Sequence, residues 1–253
     1  MSYAGRDSPP RMGEVTSQMS VSLDGYVAAP GQSRQDPLGR GGLRLHEWLF
    51  ASESWRERHG LAGGDRNVDA EVVDEVTAGV GAYVMGRRMF GGGEGGWDLD
   101  WTGWWGDEPP WRVPVFVLTH HPREPLVMRG GTEFHFVTDG IEAALARARA
   151  AAGDLDVAVA GGGGTVRQYL AAGLLDSLWL HVVPIVLGGG TPLFDGPVDA
   201  VWEPVKVVPA PTVTHIHYRV RTAGPGTDAT ASTSPPTEAA PPARAEAQDG
   251  SPG

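Results

Sequence analysis

Residues 155–195, LDVAVAGGGGTVRQYLAAGLLDSLWLHVVPIVLGGGTPLFD, constrain the fold of this chain more than any other stretch. The run 155–160 is apolar, β-branched and of strand length, and it meets four consecutive glycines, Gly161, Gly162, Gly163 and Gly164. Val166, Tyr169 and Leu170 then recur at helical spacing, and Gly173 is placed to end that helix in the left-handed conformation with Leu174 just beyond it. Strand, glycine turn and helix in this order present backbone N–H groups and a helix N-terminus to an anion such as a pyrophosphate. After Asp176 the pattern returns to a strand, 178–187, interrupted by Pro184 and closed by a second cluster, Gly188 to Gly190. Two glycine turns in one unit predict a nucleotide site, against the plainer alternative of an ordinary connection between strand and helix. The first cluster departs from the dinucleotide fingerprint, which needs a small residue where Val166 stands. Gly91, Gly93 and Gly96 satisfy its spacing but have neither the long strand before them nor the helix after.

Composition removes several function classes. The 253 residues, 41% hydrophobic, suffice for one sizeable core. A formal charge of −11 leaves no basic surface to displace the counterions of DNA, RNA or anionic lipid. No apolar stretch reaches the ~18 residues of a membrane span, and residues 1–13 lack the apolar centre of a signal peptide. We therefore expect a cytoplasmic protein with no nucleic-acid or membrane partner. The absence of cysteine excludes disulfides, a thiolate nucleophile and cysteine-held iron or zinc. Lys206 is the only lysine and lies late in the chain, so no P-loop lysine follows a glycine turn. His215 and His217 share one face of a late strand without an evident third ligand, and are expected to face solvent with no metal bound.

Taken in order, residues 1–13 are polar and unpatterned, a flexible N-terminus. Residues 15–23 alternate as a strand, and Asp24-Gly25 makes a turn before a short apolar piece, 26–29. A helix is expected over 43–58 with Leu45, Trp48, Leu49 and Ser52 on one face, and a second over 70–80. A buried strand, 81–85, runs into Gly86, Arg87, Arg88, Met89 and Phe90. Residues 91–111 hold five of the nine tryptophans among glycines and acids; they read as a long loop, either a wall or lid of a site or a surface loop anchored by its rings. Strands follow at 113–119 and 133–138, then an alanine-rich helix to about 152 with Asp139 and Glu142 at capping-box spacing. Segments 201–208 and 212–221 predict a closing hairpin. Residues 222–253 contain no large apolar side chain and are expected to form a disordered tail, leaving 14–221 as the folded unit. Strands alternating with helices predict an α/β sheet, mostly parallel with an antiparallel edge.

Five pieces in this order resemble the dihydrofolate reductase-like family, of the type found in the reductase domain of riboflavin biosynthesis. They are Ser22-Leu23-Asp24-Gly25-Tyr26, residues 84–90 (VMGRRMF), Val117-Leu118-Thr119, the glycine turn 160–165, and residues 184–194 (PIVLGGGTPLF). The resemblance implies a three-layer α/β/α fold and an NADPH-dependent reductase that transfers hydride to a small-molecule substrate, a pterin, aminopyrimidine or related C=N or C=O compound. It also implies that Gly86, Arg87 and Arg88 meet phosphate, with Arg87 on the adenosine 2′-phosphate, and that Thr119 and His120 flank the adenosine. Gly161 to Gly164, Thr165 and Val166 would cradle the pyrophosphate. Reductases of this kind place a carboxylate on the first long helix, where this chain carries His46 and Glu47; Asp24 is a third candidate for orienting substrate, or simply builds its turn. Without the cysteines of an attached zinc deaminase, a stand-alone reductase domain is expected, and the family likeness implies a homodimer. A non-catalytic nucleotide- or pterin-binding protein on the same fold is the competing reading.

Overall fold

The computed structural model describes residues 13–91 and 93–222. The segments expected to be flexible or disordered lie outside these residues, except Gly13 and Thr222. Along β1 (Val15–Ser22), Val15, Met19 and Val21 alternate with Thr16, Gln18 and Ser20, which gives the strand one apolar and one polar face. It is followed by β2 (Tyr26–Ala28), α1 (Glu47–Ala51), α2 (Glu53–Arg58), α3 (Val68–Thr77) and β3 (Val80–Gly86). Then come α4 (Arg87–Phe90), β4 (Pro114–Leu118), β5 (Leu126–Val127), β6 (Glu133–Val137), α5 (Gly140–Ala152) and β7 (Asp156–Gly161). The chain closes with α6 (Gly163–Ala171), β8 (Ser177–Val183), β9 (Thr191–Pro192), β10 (Ala200–Pro209) and β11 (Thr214–Thr222).

Nine of these strands form one sheet in the order β10-β11-β8-β1-β7-β3-β4-β6-β5. The six central strands, from β8 to β6, are parallel. The β10–β11 hairpin and β5 add antiparallel edges. The strands therefore build the mostly parallel sheet that the sequence predicts, with helices on both faces. On one face Val84, Phe116, Val157 and Val159 pack under Ala144, Leu145 and Ala148 of α5 and Val166 and Tyr169 of α6. On the other face the covering is divided. Leu45, Trp48 and Val73 pack with Val183 and Val213, while Phe90 and the loop side chains Trp97, Trp101, Trp105 and Trp111 cover Tyr83, Met85, Val117 and Phe134.

Three elements differ from expectation, each for a local reason. The helix expected over 43–58 is a 3-10 turn, Gly42–His46, then α1 and α2. Ser52 breaks it by adopting extended geometry (ψ 139°), where its hydroxyl donates to Leu49 O and accepts from Trp55 N–H. The next helix begins before residue 70, because the Asn67 side chain accepts from Asp69 and Ala70 N–H. The Asp139 capping box does not form: Asp139 pairs with Arg147 at 2.5 Å and caps nothing. Gly173 does end α6 at φ 64°, with Leu174 N–H returning to Tyr169 O.

Candidate active site

The parallel strands deliver Ser22, Gly86, Leu118, Val137 and Gly161 to one edge of the sheet, where open α/β folds bind ligands. A cleft of about 910 Å³ opens there. Gly86 at the end of β3 lies so close to α6 that a Cβ on it would collide with Thr165 Oγ1. This contact brings two of the glycine corners together. The amides of Thr165 and Val166 turn back to Gly162 O, and Gly162 offers no side-chain cap. The first residues of α6, Gly163 and Gly164, therefore bring a helix N-terminus to the cleft, the arrangement in which backbone N–H groups can receive an anion.

The remaining expected cofactor residues divide into two sets. Gly86, Arg87, Arg88, Thr119, His120, Gly162, Gly163, Gly164 and Thr165 line the cleft; Gly161 and Val166 do not. Val166 is fully buried beneath the sheet, where it packs α6. The Arg87 guanidinium stacks 4.1 Å over Trp97 and donates to the carbonyls of Gly95 and Gly96, so it ties the tryptophan-rich loop to α4. Arg88 is the more open of the pair: its side chain is 85% exposed, 3.9 Å from Glu94. The Thr119 hydroxyl holds a local turn by accepting from His121 N–H, while His120 is exposed. Sequence reading missed Gln18, Arg167, Gln168 and Thr191 on the cleft wall. Arg167 was legible only in three dimensions, since its partners Pro192 and Asp195 belong to the second glycine segment. This donor set of a glycine-rich helix end and adjacent guanidinium suits a phosphorylated dinucleotide.

A second hollow, about 440 Å³, runs across the polar face of β1 between α2, α3 and the tryptophan loop. It meets the cleft at Gln18, Ser20, His46, Met89, Trp105 and Ala160. His46, one of the candidate catalytic residues, is at this junction, with a buried Nδ1 that has no hydrogen-bond partner among the described residues. Burial lowers its pKa to about 4, so it is neutral at pH 7. Glu47 is exposed and lines neither hollow. Asp24 lines neither as well; its carboxylate accepts from Leu187 and Gly188 N–H at 3.1 and 2.7 Å. That clamp, with Leu23 N–H on Ile185 O and Leu193 N–H on Gly25 O, joins the first corner to the second glycine cluster. The two sequence motifs are each other's partners.

The family model described as the RibD C-terminal domain matches residues 14–216. The chain belongs to this family. Among solved structures, the RibD C-terminal domain described above is similar to a putative riboflavin biosynthesis protein from Shewanella sp. PV-4, at 23% identity and TM-score 0.56, covering 82% of this chain and 99% of that one. It is also similar to a diaminohydroxyphosphoribosylaminopyrimidine deaminase/5-amino-6-(5-phosphoribosylamino)uracil reductase from Thermotoga maritima, at 15% identity and TM-score 0.51, covering 82% of this chain and 56% of that one. A dihydrofolate reductase from Enterococcus faecalis complexed with NADP(H) aligns at 16% identity and TM-score 0.49, over 83% and 98% of the two chains. No curated protein matches the sequence. No helix among the described residues is long and apolar enough to cross a membrane.

The histidines of this RibD C-terminal domain correct one expectation. His215 does not face solvent: it is 0% exposed, and the antiparallel register sets it opposite His181 of β8, itself 1% exposed. Their Nδ1 atoms are 2.8 Å apart. His215 Nε2 lies 2.9 Å from Asp69 Oδ1 on α3, and His181 Nε2 lies 3.3 Å from Gln18 Oε1. Trp48 covers both imidazoles, with ring centroids 4.6 and 4.9 Å away, and its indole N–H donates to Ser20. His217 is half-buried, 2.6 Å from Ser177 Oγ and stacked on Trp179. Among the described residues, no group of three or more His, Cys, Asp or Glu could hold a metal ion.

Proposed function

We propose that this chain is an NADPH-dependent reductase that transfers hydride to a small heterocycle, a pterin, aminopyrimidine or related compound with a C=N or C=O bond. Membership of the RibD C-terminal family supports a reductase, and the similar Thermotoga protein is a deaminase and 5-amino-6-(5-phosphoribosylamino)uracil reductase. The observation that carries the reading is the junction. A cleft with a glycine-rich helix end and guanidinium groups adjoins a ring-lined hollow, and the two share Gln18, Ser20, His46 and Trp105 in their walls.

When bound, the dinucleotide supplies the hydride; the protein supplies position and a dry pocket. Gly163 and Gly164 hold the pyrophosphate by backbone N–H donors, and Arg88 offers the forked donor geometry suited to a 2′-phosphate. Trp105 and Met89 line the junction. Flat rings of substrate fit beside Trp105 and Trp111, which are partly exposed and line the hollow.

The test is a titration of the purified protein with NADPH and NADH by tryptophan quenching, followed by NADPH oxidation with dihydrofolate and an aminopyrimidine ribitol phosphate side by side. Turnover of either supports the reductase. Absence of NADPH binding overturns it, and tight binding without turnover across a broad panel favours a non-catalytic binding protein.

A further inference from the structure

With the Gln18 amide oxygen facing His181, the buried chain Asp69–His215–His181–Gln18 has more hydrogen-bond contacts than two neutral imidazoles can fill. Its three contacts begin and end on oxygen, at Asp69 Oδ1 and Gln18 Oε1. Each contact needs one hydrogen, so the chain needs three. A neutral imidazole carries one N–H, so two neutral rings supply two. With two hydrogens in this arrangement, one contact sets lone pair against lone pair; with a third, every contact has a donor, and the bonds run outward to the oxygens at both ends. The two outer bonds are then fixed, His215 donating through Nε2 to Asp69 and His181 through Nε2 to Gln18, and the middle hydrogen lies between the two Nδ1 atoms.

We propose that Asp69, His215 and His181 store one proton beyond two neutral imidazoles and release it through His181 Nε2 to a ligand seated beside Gln18. The delivery half of this rests on the reductase reading; the storage half does not. Position supports it, because His181 lines the hollow and Gln18 lines both the hollow and the cleft. Electrostatics supports the sharing of the charge. Burial, and after it a charge on His215, holds the His181 pKa well below its usual value, so the stored charge rests on His215 beside the Asp69 carboxylate. A proton moved onto the outer ring is readily given up.

The chemistry balances for a nicotinamide hydride donor. Hydride adds to the unsaturated carbon of the substrate, and the C=N or C=O π pair moves to nitrogen or oxygen. That atom takes the proton of His181 Nε2, and the N–H bonding pair stays on the imidazole. In the same step His181 Nδ1 takes the Nδ1 proton of His215, so His181 stays neutral and His215 returns to neutral with Nε2–H on Asp69. In the discharged state the Gln18 amide turns its NH₂ toward the lone pair of His181 Nε2. A proton from water recharges the pair after product leaves.

The other charged groups around the hollow are His46 from the 3-10 turn, Arg58 and His59 of α2, Glu75 of α3, His217 of β11, and Glu14 and Asp156 at its far end. Glu75 is paired with Lys206 at 2.7 Å. Burial lowers the pKa of His46, His59 and His217, so none of these rings holds a proton near neutral pH. Among these side chains, Asp69 alone places a carboxylate in contact with the His215 ring.

Two-bond ¹⁵N–¹H correlation of the histidine rings in the full chain, without cofactor, reads the stored proton directly. The expected result near neutral pH is three ring N–H hydrogens on His181 and His215 together; two hydrogens, with His181 Nε2 bare, would overturn the storage. In Asp69→Asn the third hydrogen should be lost at a pH lower by about 1–3 units, the range for removing an adjacent opposite charge. His181→Gln keeps the Asp69–His215 pair and serves where Asp69→Asn fails to fold. For whichever substrate is turned over, kcat should fall at least tenfold in either variant while NADPH quenching is unchanged, and an unchanged kcat would overturn the delivery. A parent protein that shows three hydrogens but binds no NADPH upholds the store and overturns the reductase reading alone.

Discussion

Asp24 illustrates how a residue chosen for chemistry by sequence reading can be given structural work by its neighbours. Hydrogen bonding from Ser22, then from the Leu187 and Gly188 amides, holds its carboxyl pKa at about 2, although the side chain is exposed. A depressed pKa stabilises the fold above the unfolded-state value near 4 and ceases to do so as pH falls through about 2. Asp24→Asn should therefore melt below the parent at neutral pH, and the difference should shrink below pH ~4 and vanish near pH ~2. Thermal melts across that range check it, and a pH-independent difference would contradict the carboxylate clamp. The two arginines separate in the same way. Arg88→Ala should weaken NADPH by about 1.5–3 kcal/mol, as expected for a hydrogen bond to a charged group, and leave NADH nearly unchanged. Arg87→Ala should weaken both cofactors alike, because it frees the Gly95–Gly96 segment of the tryptophan-rich loop from α4. Fluorescence titrations distinguish the two patterns.

At the scale of elements, the contact between the end of β3 and the start of α6 sets the width of the phosphate end of the cleft. Gly86→Ala should cost about 1–3 kcal/mol of stability by overpacking and weaken the cofactor, since its methyl group would displace Thr165. Removing that hydroxyl by Thr165→Ala should rescue the variant, because the new Cβ then meets Thr165 Cβ at an ordinary 3.8 Å. A double-mutant cycle by denaturant unfolding and NADPH titration would expose any failure of the rescue. The strand ends at Gly86 and Gly161 were legible in the sequence, because apolar runs stopping at glycine carry their own signal. The break at Ser52 was not: apolar spacing continues across it, and only the competing hydroxyl bonds turn the chain. The histidine chain was also hidden. His181 and His215 are 34 residues apart, and Asp69 joins them from a helix 146 residues from His215, so only the β8–β11 register reveals them. Spacing alone suggested the His215–His217 pair instead, whose members have different partners.

For the whole molecule, the strand order predicts how ligand and stability are linked. Because the cleft is assembled from the ends of β1, β3, β4, β6 and β7, a bound dinucleotide can hold only the folded state. At a concentration of about 100 Kd, NADPH should add about 2.7 kcal/mol and raise Tm by about 5–10 °C for a domain of this size. Scanning calorimetry with and without NADPH measures this, and an unchanged Tm at a concentration that quenches tryptophan would argue that the ligand is held outside the cleft. The place of β7 in the sheet has a further consequence. It lies between β1 and β3, yet β7 begins only at Asp156, long after β3 ends at Gly86. As the polypeptide leaves the ribosome, these two earlier strands have no seam to share until the Asp156–Gly161 segment arrives between them. The strand that carries the glycine turn is thus also the keystone of the nascent sheet, and the centre of the protein closes at the same moment that its ligand-binding edge comes into being.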